Sequence, residues 1–417
     1  MKIDNRLVNW SVGIGLLFPL FFQLSGRIYN DFSTDSGGNI ATLPLPVSVL
    51  ACFGAMVLLH KQVSRARIAW TFVGAMLLAL LASVLLADAG SGVEIRKLIL
   101  LGQFAMPMFA LGLGQMIDDN DKVIPKAFLT VLLVVVPAQL MAGWMQGTLT
   151  LTHSLYVFSI YQHFQFVPLV FVCAFSYSMV ALWDTHRILL LILSPFMLIY
   201  AVASVSFLTI AALIIFGAGF AYYRLRIGKK MNKALIFGAL LASTAVIIAA
   251  VGAYYGIAKG KTSIVGDNGQ YIAKFQSISE GRLPRNVSER IADWKLFGNG
   301  IIESPRTMAF GHAAPFARAV RTSAHNWYID MVYSFGLISL LPVFLLIGYT
   351  VHLFRRSRDS LPFETQCLAY VVFYLVVIDS NFKVTLRQPY SGIFTYFLWG
   401  LLLSRLLVRA PPGRLGA

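Results

Sequence analysis

The sequence alternates long apolar runs with short clusters of charge, and this pattern leaves few folds open to the chain. Of its 417 residues, 58% are hydrophobic and only 12% are charged. A soluble protein of this length carries about twice that charged fraction. The apolar runs reach the roughly 20 residues that a helix needs to cross a bilayer. The sequence therefore predicts an all-α integral membrane protein.

We predict about twelve membrane-spanning helices, counting a hairpin at the small polar residues 203–206 that divides a run too long for one helix. The predicted spans are 8–25, 44–60, 68–87, 98–116, 127–146, 164–183, 188–203, 206–223, 234–254, 327–352, 365–379 and 392–408. Nine helices then occupy residues 1–254, a large loop covers 255–325, and three helices with a short tail cover 326–417.

The basic residues predict the orientation of the chain. With a cytoplasmic N-terminus, nineteen Lys and Arg residues fall in cytoplasmic segments and five fall in short outer loops. This bias is typical of membrane proteins, so both termini are predicted to be cytoplasmic and the loop 255–325 to lie outside. It also accounts for the net charge of +16, and nucleic acid is therefore excluded as a partner.

The outer loop carries ten basic residues against five acidic ones. This excess suits an anionic ligand, and arginine suits phosphate because its planar fork donates two parallel hydrogen bonds. The alternative is a solvated loop that touches acidic lipid headgroups. Arg290 and Trp294 are four residues apart and share one face of a predicted helix. We interpret Glu289 and Asp293 as solvated loop charges, and no carboxylate cluster or Cys/His ligand spacing is visible outside.

His325 lies where the loop re-enters the membrane, next to Asn326. A histidine titrates near neutral pH and can accept a proton from a hydroxyl group. The alternative is an interfacial residue that anchors the helix beside Trp327 and Tyr328. Both interpretations are open on the sequence alone.

Together these residues resemble the O-antigen ligase and polymerase superfamily. Its members carry an Arg-x-x-x-Trp element with a following Pro, and a His-Asn pair before a helix that contains Gly. The matching residues here are Arg290, Trp294, Pro305, His325, Asn326 and Gly336. The resemblance implies a GT-C-like protein of the bacterial inner membrane, with one large periplasmic loop between helices 9 and 10.

Within the superfamily the chain is more similar to the ligases, because one periplasmic loop dominates. The resemblance implies transfer of O-antigen polysaccharide from undecaprenyl diphosphate to a sugar hydroxyl of lipid A-core oligosaccharide at the periplasmic face, with inversion. His325 is the expected general base, and Arg290 is expected to stabilise the leaving diphosphate. No cofactor or metal is expected, and membrane lipids are the other partners. The expected substrate-binding residues are Arg321, Lys383, Arg387, Asn326 and Trp294.

One departure from the family pattern concerns the hairpin before the eighth span. Family members carry an Arg soon after a Ser-x-Ser, whereas this chain has Ser204 and Ser206 without it. Lys383 and Arg387 are candidates to supply the charge instead, and the alternative for both is to extend to the membrane interface. The alternatives are an O-antigen polymerase or protein O-oligosaccharyltransferase of the same superfamily, a polytopic transporter or flippase, and a non-catalytic assembly partner.

Overall fold

The computed structural model describes residues 5–19, 21–23, 44–87, 95–145, 166–204, 206–226, 277, 279–283, 285–314 and 323–409. Eight helical segments in these ranges are long and apolar enough to cross a membrane. The prediction of an all-α, multi-pass membrane protein is confirmed at this level. A short sheet pairs β1 (Phe21–Gln23) with β2 (Pro44–Pro46).

The α-helices are numbered along the chain. They are α1 (Asn5–Leu17), α2 (Val47–Leu58), α3 (Arg67–Leu86), α4 (Ile95–Met116), α5 (Val123–Met145), α6 (Val167–Ala203), α7 (Phe207–Arg226), α8 (Arg285–Ile301), α9 (Pro305–Phe310), α10 (Trp327–Phe335), α11 (Leu341–Ser357), α12 (Phe363–Phe373) and α13 (Pro389–Arg409). Short 3-10 helices cover His60–Ala66, Leu337–Leu340, Arg358–Ser360 and Asp379–Asn381, and a π-helix covers Tyr374–Ile378.

The chain divides into two compact units. Unit 1 contains Met1–Leu16, Phe22–Asn120 and Asn286–Ala417, and unit 2 contains Leu17–Phe21 and Asp121–Arg285. Within unit 2, α5 packs on α6, where Tyr200 donates a 2.6 Å hydrogen bond to Gln139. The division predicted at residues 254 and 325 stays a prediction.

Helices α4 and α13 form the closest helix pair of unit 1. A Cβ added to Gly114 would lie 2.0 Å from the carbonyl oxygen of Phe397, and one added to Gly400 would lie 2.0 Å from that of Leu111. Small residues allow membrane helices to approach this closely. Gly392 lies beside Pro107, so residue numbers rise together along the two helices. The helices are therefore parallel, and both begin at the same end of unit 1.

The prediction of a single helix over 327–352 is wrong. Helix α10 ends at Phe335, and Gly336 follows with a φ of 71°. This left-handed conformation favours glycine, and a Cβ here would lie 2.1 Å from the carbonyl oxygen of Ala309. The chain turns at this point and continues through a 3-10 helix into α11. With nine residues, α10 is too short to cross a bilayer, and the candidate span is Leu337–Ser360.

Other predicted spans differ in detail. Helix α1 has only 13 residues and α2 only 12, in place of the longer spans predicted over 8–25 and 44–60. The spans predicted over 164–183 and 188–203 form one element, α6, with a kink at His186. The predicted break between two packed helices in this region is confirmed, because α6 ends at Ala203, α7 begins at Phe207 and the two helices pack together. The span predicted over 234–254 lies outside the described residues, so the total of twelve stays a prediction.

Candidate functional site

Charged side chains from distant parts of the sequence meet in unit 1, at the end where α4 and α13 begin. We call them the His325 cluster. Its members are Arg290, Asp293, His325, Asp330, Asp379, Lys383 and Arg387. Four of the seven site residues expected from the sequence are therefore in one place.

Asp293 connects α8 to the histidine. Its Oδ2 lies 3.3 Å from Nδ1 of His325, and the residue is 3% exposed. The interpretation of Asp293 as a solvated loop charge is wrong. Phe297, one turn further along α8, is buried with Ala324 and Tyr333, and this contact draws that side of the helix into unit 1. Glu289, one turn earlier, is exposed as expected.

The backbone of His325 adopts a conformation that non-glycine residues rarely adopt. Its φ is 52°, in the left-handed region, which costs about 1–3 kcal/mol and persists only when neighbouring contacts impose it. The N–H of His325 donates to Ser323 Oγ at 3.1 Å, and the N–H of Ala324 donates to Asp330 Oδ1 at 2.6 Å. These bonds hold the turn on the N-terminal side of the imidazole.

Asn326 is the N-cap of α10. Its Oδ1 accepts hydrogen bonds from the backbone N–H groups of Tyr328 and Ile329 at 2.9 and 3.1 Å. Its Nδ2 donates to Asn381 Oδ1 at 3.3 Å. Asn side chains satisfy helix N-termini in this way. Asn326 thus fixes where α10 begins and ties the histidine loop to the segment that precedes α13.

Asp330 is buried on α10 and pairs with Arg387 at 3.0 Å. Burial raises the pKa of Asp330 to about 6, and Asp293 acts in the same direction. The Arg387 guanidinium and the Ala324 N–H lower it. The Arg387 guanidinium also lies 5.8 Å from the ring centroid of Phe104, at cation–π distance. Arg387 is therefore held from two sides.

Asp379 and Lys383 form a second buried ion pair, with 3.2 Å between Lys383 Nζ and Asp379 Oδ1. Thr385 also donates a hydrogen bond to Asp379. Asp379 follows directly on the π-helix Tyr374–Ile378, and Tyr328 of α10 donates to the carbonyl of Val376 within it. π-Helical turns are frequent at functional sites. Here the turn delivers Asp379 to the cluster.

Arg290 differs from the other two cations. Burial lowers its pKa, while the negative charges of Asp379 and Asp293 raise it. It makes no hydrogen bond or ion pair with another described residue. An arginine remains protonated at neutral pH despite such shifts. Its donors are therefore available to a ligand, while those of Lys383 and Arg387 are engaged by buried carboxylates.

The remaining predicted residues have separate outcomes. Trp294 packs against the buried Phe297, Ala324 and Tyr333, and its ring centroid lies 6.3 Å from that of Phe382. Trp294 lies about one turn after Arg290 on α8, and the prediction that these two residues share a helix face is confirmed. Arg321 lies outside the described residues.

The carboxylates Asp293, Asp330 and Asp379 were missed by the sequence analysis, which expected no carboxylate cluster. They come from three separate elements, so no spacing in the sequence relates them. The cluster contains three carboxylates and three permanent cations, which makes it nearly neutral before His325 is counted. Within the described ranges no group of three or more His, Cys, Asp or Glu residues is arranged to hold a metal ion.

Comparison with known protein families and with curated proteins finds no match for this chain.

Proposed function

We propose that this chain is a membrane-embedded glycosyltransferase that acts as an O-antigen ligase. It would move O-antigen polysaccharide from undecaprenyl diphosphate to a sugar hydroxyl of lipid A-core oligosaccharide. The observation that carries the proposal is the convergence of His325, a partly buried Arg290 with available donors, and two further cations at one end of unit 1. These are the groups that transfer from a lipid diphosphate needs.

The diphosphate is the first substrate group to place. Arg290 offers a forked set of donors, which match phosphate oxygens in pairs. Lys383 and Arg387 lie close by and add positive potential, although each is partly neutralised by its own carboxylate. Fixed cations of this kind stabilise the charge that grows on a departing diphosphate. We assign Arg290 the main role and the other two supporting roles.

The acceptor hydroxyl is a weak nucleophile, and His325 is the group that activates it. With Nδ1 directed at Asp293, the other ring nitrogen, Nε2, is the base. A positioned general base contributes about 10²–10⁴-fold to the rate. The acceptor oxygen bonds to the anomeric carbon as the bond from that carbon to the diphosphate oxygen breaks. The leaving group keeps the electron pair, the hydroxyl proton passes to Nε2, and the anomeric configuration inverts.

The proposed orientation places the His325 cluster at the periplasmic face of the inner membrane, with both termini in the cytoplasm. In this orientation α4 and α13 both begin outside and end inside, which agrees with their parallel packing. Donor and acceptor are both lipids of the outer leaflet, so a catalytic site at the rim of a helical bundle reaches both. The proposal includes no metal and no cofactor.

The experiment is transfer by purified protein in vesicles, with undecaprenyl-diphosphate-linked O-antigen and lipid A-core oligosaccharide as the added substrates. His325→Ala should lower the rate of product formation by about 10²–10⁴-fold. His352→Ala, an exposed histidine on α11, is the matched control and should leave the rate within about twofold.

Two results would contradict the proposal. The first is wild-type protein that forms no glycan-linked lipid A-core. The second is a His325→Ala variant that works as fast as the control. Growth of the glycan on undecaprenyl diphosphate, without transfer to lipid A-core, would instead identify a polymerase.

A further inference from the structure

The geometry points to Asp293 as a positioning residue that orients His325 and stabilises the imidazolium formed during transfer. This inference rests on the proposed function, because it assigns a role within the same site. Asp293 lies outside the motif residues that carry the resemblance, and its burial is visible only in the folded chain.

The side chains of Asp293 and His325 are in direct contact. Asp293 Oδ2 faces His325 Nδ1 at 3.3 Å, and the carboxylate is almost completely buried while the imidazole is partly exposed. A carboxylate accepts hydrogen bonds only, so Nδ1 carries the proton in this contact. The tautomer with a lone pair on Nε2 follows, and this is the tautomer that accepts a proton from a hydroxyl group.

Asp293 and His325 are both held in place by neighbouring residues. The backbone of His325 is held in its left-handed conformation by Ser323 and Asp330. Asp293 is fixed because Phe297, four residues later on the same face of α8, is buried in one apolar cluster with Ala324 and Tyr333. Ala324 precedes the histidine, so the carboxylate and the imidazole are attached to one packed core. Catalytic groups need such support to keep a productive geometry.

Asp293 also lies close to Arg290 along α8. The two residues are three apart on α8 and therefore project from the same side of the helix. One helix thus presents both the donors for the diphosphate and the partner of the base. A small rotation of α8 would therefore disturb both functions together.

The proton transfers balance without another reactant. Before transfer, Nδ1 carries the proton of the contact with ionised Asp293, and Nε2 carries no proton. After attack, Nε2 holds the acceptor proton, and the positive imidazole faces the negative carboxylate. Release of that proton to water restores the neutral histidine, and Asp293 stays ionised throughout. The role matches that of the carboxylate in a Ser-His-Asp triad, which aligns the histidine without taking its proton.

The test is the steady-state kinetics of Asp293→Asn in vesicles containing donor and acceptor lipids. We expect kcat to fall by about 10²–10⁴-fold with KM for both substrates nearly unchanged, because the base loses its tautomer and its counter-charge. The low-pH limb of the rate profile should also move to lower pH, since the imidazolium loses a negative partner. Glu289 is an exposed carboxylate on the same helix, and Glu289→Gln should change neither kcat nor the pH profile.

A double-mutant cycle distinguishes positioning from a merely structural role. In a His325→Ala background, which retains a small residual rate, Asp293→Asn should cost less than about twofold. A full-sized additional loss in that background would overturn the inference, and so would near-normal kcat in the single variant. Failure of the proposed function has a different signature, because the wild type itself would then form no product.

Discussion

Unit 1 holds charged clusters at both ends of α13, and they differ in what their side chains leave available. At the final turns of this helix, Arg405 lies 2.7 Å from Glu364 and 3.5 Å from Asp119. We call these three residues the Arg405 cluster. The helix rises by about 24 Å between Pro389 and Arg405, so the His325 cluster is well separated from it.

The Arg405 cluster connects three parts of unit 1. One guanidinium joins the end of α13 to the start of α12 and to the chain just after α4. None of its three residues has a positive φ, and it contains no histidine. The His325 cluster combines a strained histidine with a cation whose donors remain available. Buried charge alone therefore does not distinguish the two clusters, whereas available hydrogen-bond donors and imposed backbone strain do.

The largest expected contrast comes from removing one arginine in each cluster. Arg290→Ala should lower kcat by about 10²-fold or more and leave thermal stability nearly unchanged, because the proposed function assigns its donors to the transition state. Arg405→Ala should lower the free energy of unfolding by roughly 3 kcal/mol, because it removes the cation paired with the buried Asp119 and the partly buried Glu364. Transfer per folded molecule should be normal in Arg405→Ala. The assays are vesicle transfer rates and thermal unfolding in detergent, and a reversal of the two patterns would break the comparison.

The pH dependence of stability sharpens the comparison, because Asp330 has a pKa raised to about 6 in the folded chain from 3.8. Between these values the folded chain binds a proton that the unfolded chain does not. Asp330 therefore favours the folded state at pH 4, and this contribution is lost as pH rises through 6. The full change is at most about 3 kcal/mol.

Asp330→Asn removes this titration. Relative to the variant, the wild type should lose stability between pH 4 and pH 7, which thermal unfolding at a series of pH values measures. A stability difference that is constant over that range would show that Asp330 has an ordinary acidity.

The smallest expected effect concerns the helix contact that runs between the two clusters. Gly114→Ala should destabilise the protein by about 1–3 kcal/mol, because the new methyl group meets the backbone of α13 at Phe397. Gly102→Ala on the same helix meets no atom within 4 Å and should be neutral or slightly stabilising. Thermal unfolding compares them. Equal stability of the two variants would contradict the close packing of α4 and α13.

Much of the helical framework was predictable from local patterns in the sequence. Apolar runs placed α3, α4, α5, α7 and α13 to within a few residues, and the hairpin before Phe207 followed from small polar residues. The pairing of Arg290 with Trp294 on a helix face needed only a spacing of four. Each of these features depends on neighbours along the chain, which is the range that sequence periodicity reports.

The rest of the site depends on contacts between distant residues. Asp293 has the sequence context of a solvated charge, because nothing near it in the sequence shows that Phe297 draws its helix inward. Asp330 and Asp379 fall in predicted apolar spans, and their cations are supplied by the segment before α13. The turn at Gly336 was missed because an isolated glycine in an apolar run also occurs in continuous membrane helices.

The central claim is that the lipid diphosphate binds at the His325 cluster and that the Arg405 cluster only holds the fold. A photoactivatable undecaprenyl diphosphate analogue, bound to the protein in vesicles and mapped by mass spectrometry, tests it most directly. The account predicts labelling on α8 around Arg290 and on the segment 379–388, with loss of label when excess natural donor is added. Labelling concentrated near Arg405, or labelling that excess donor fails to displace, would contradict it.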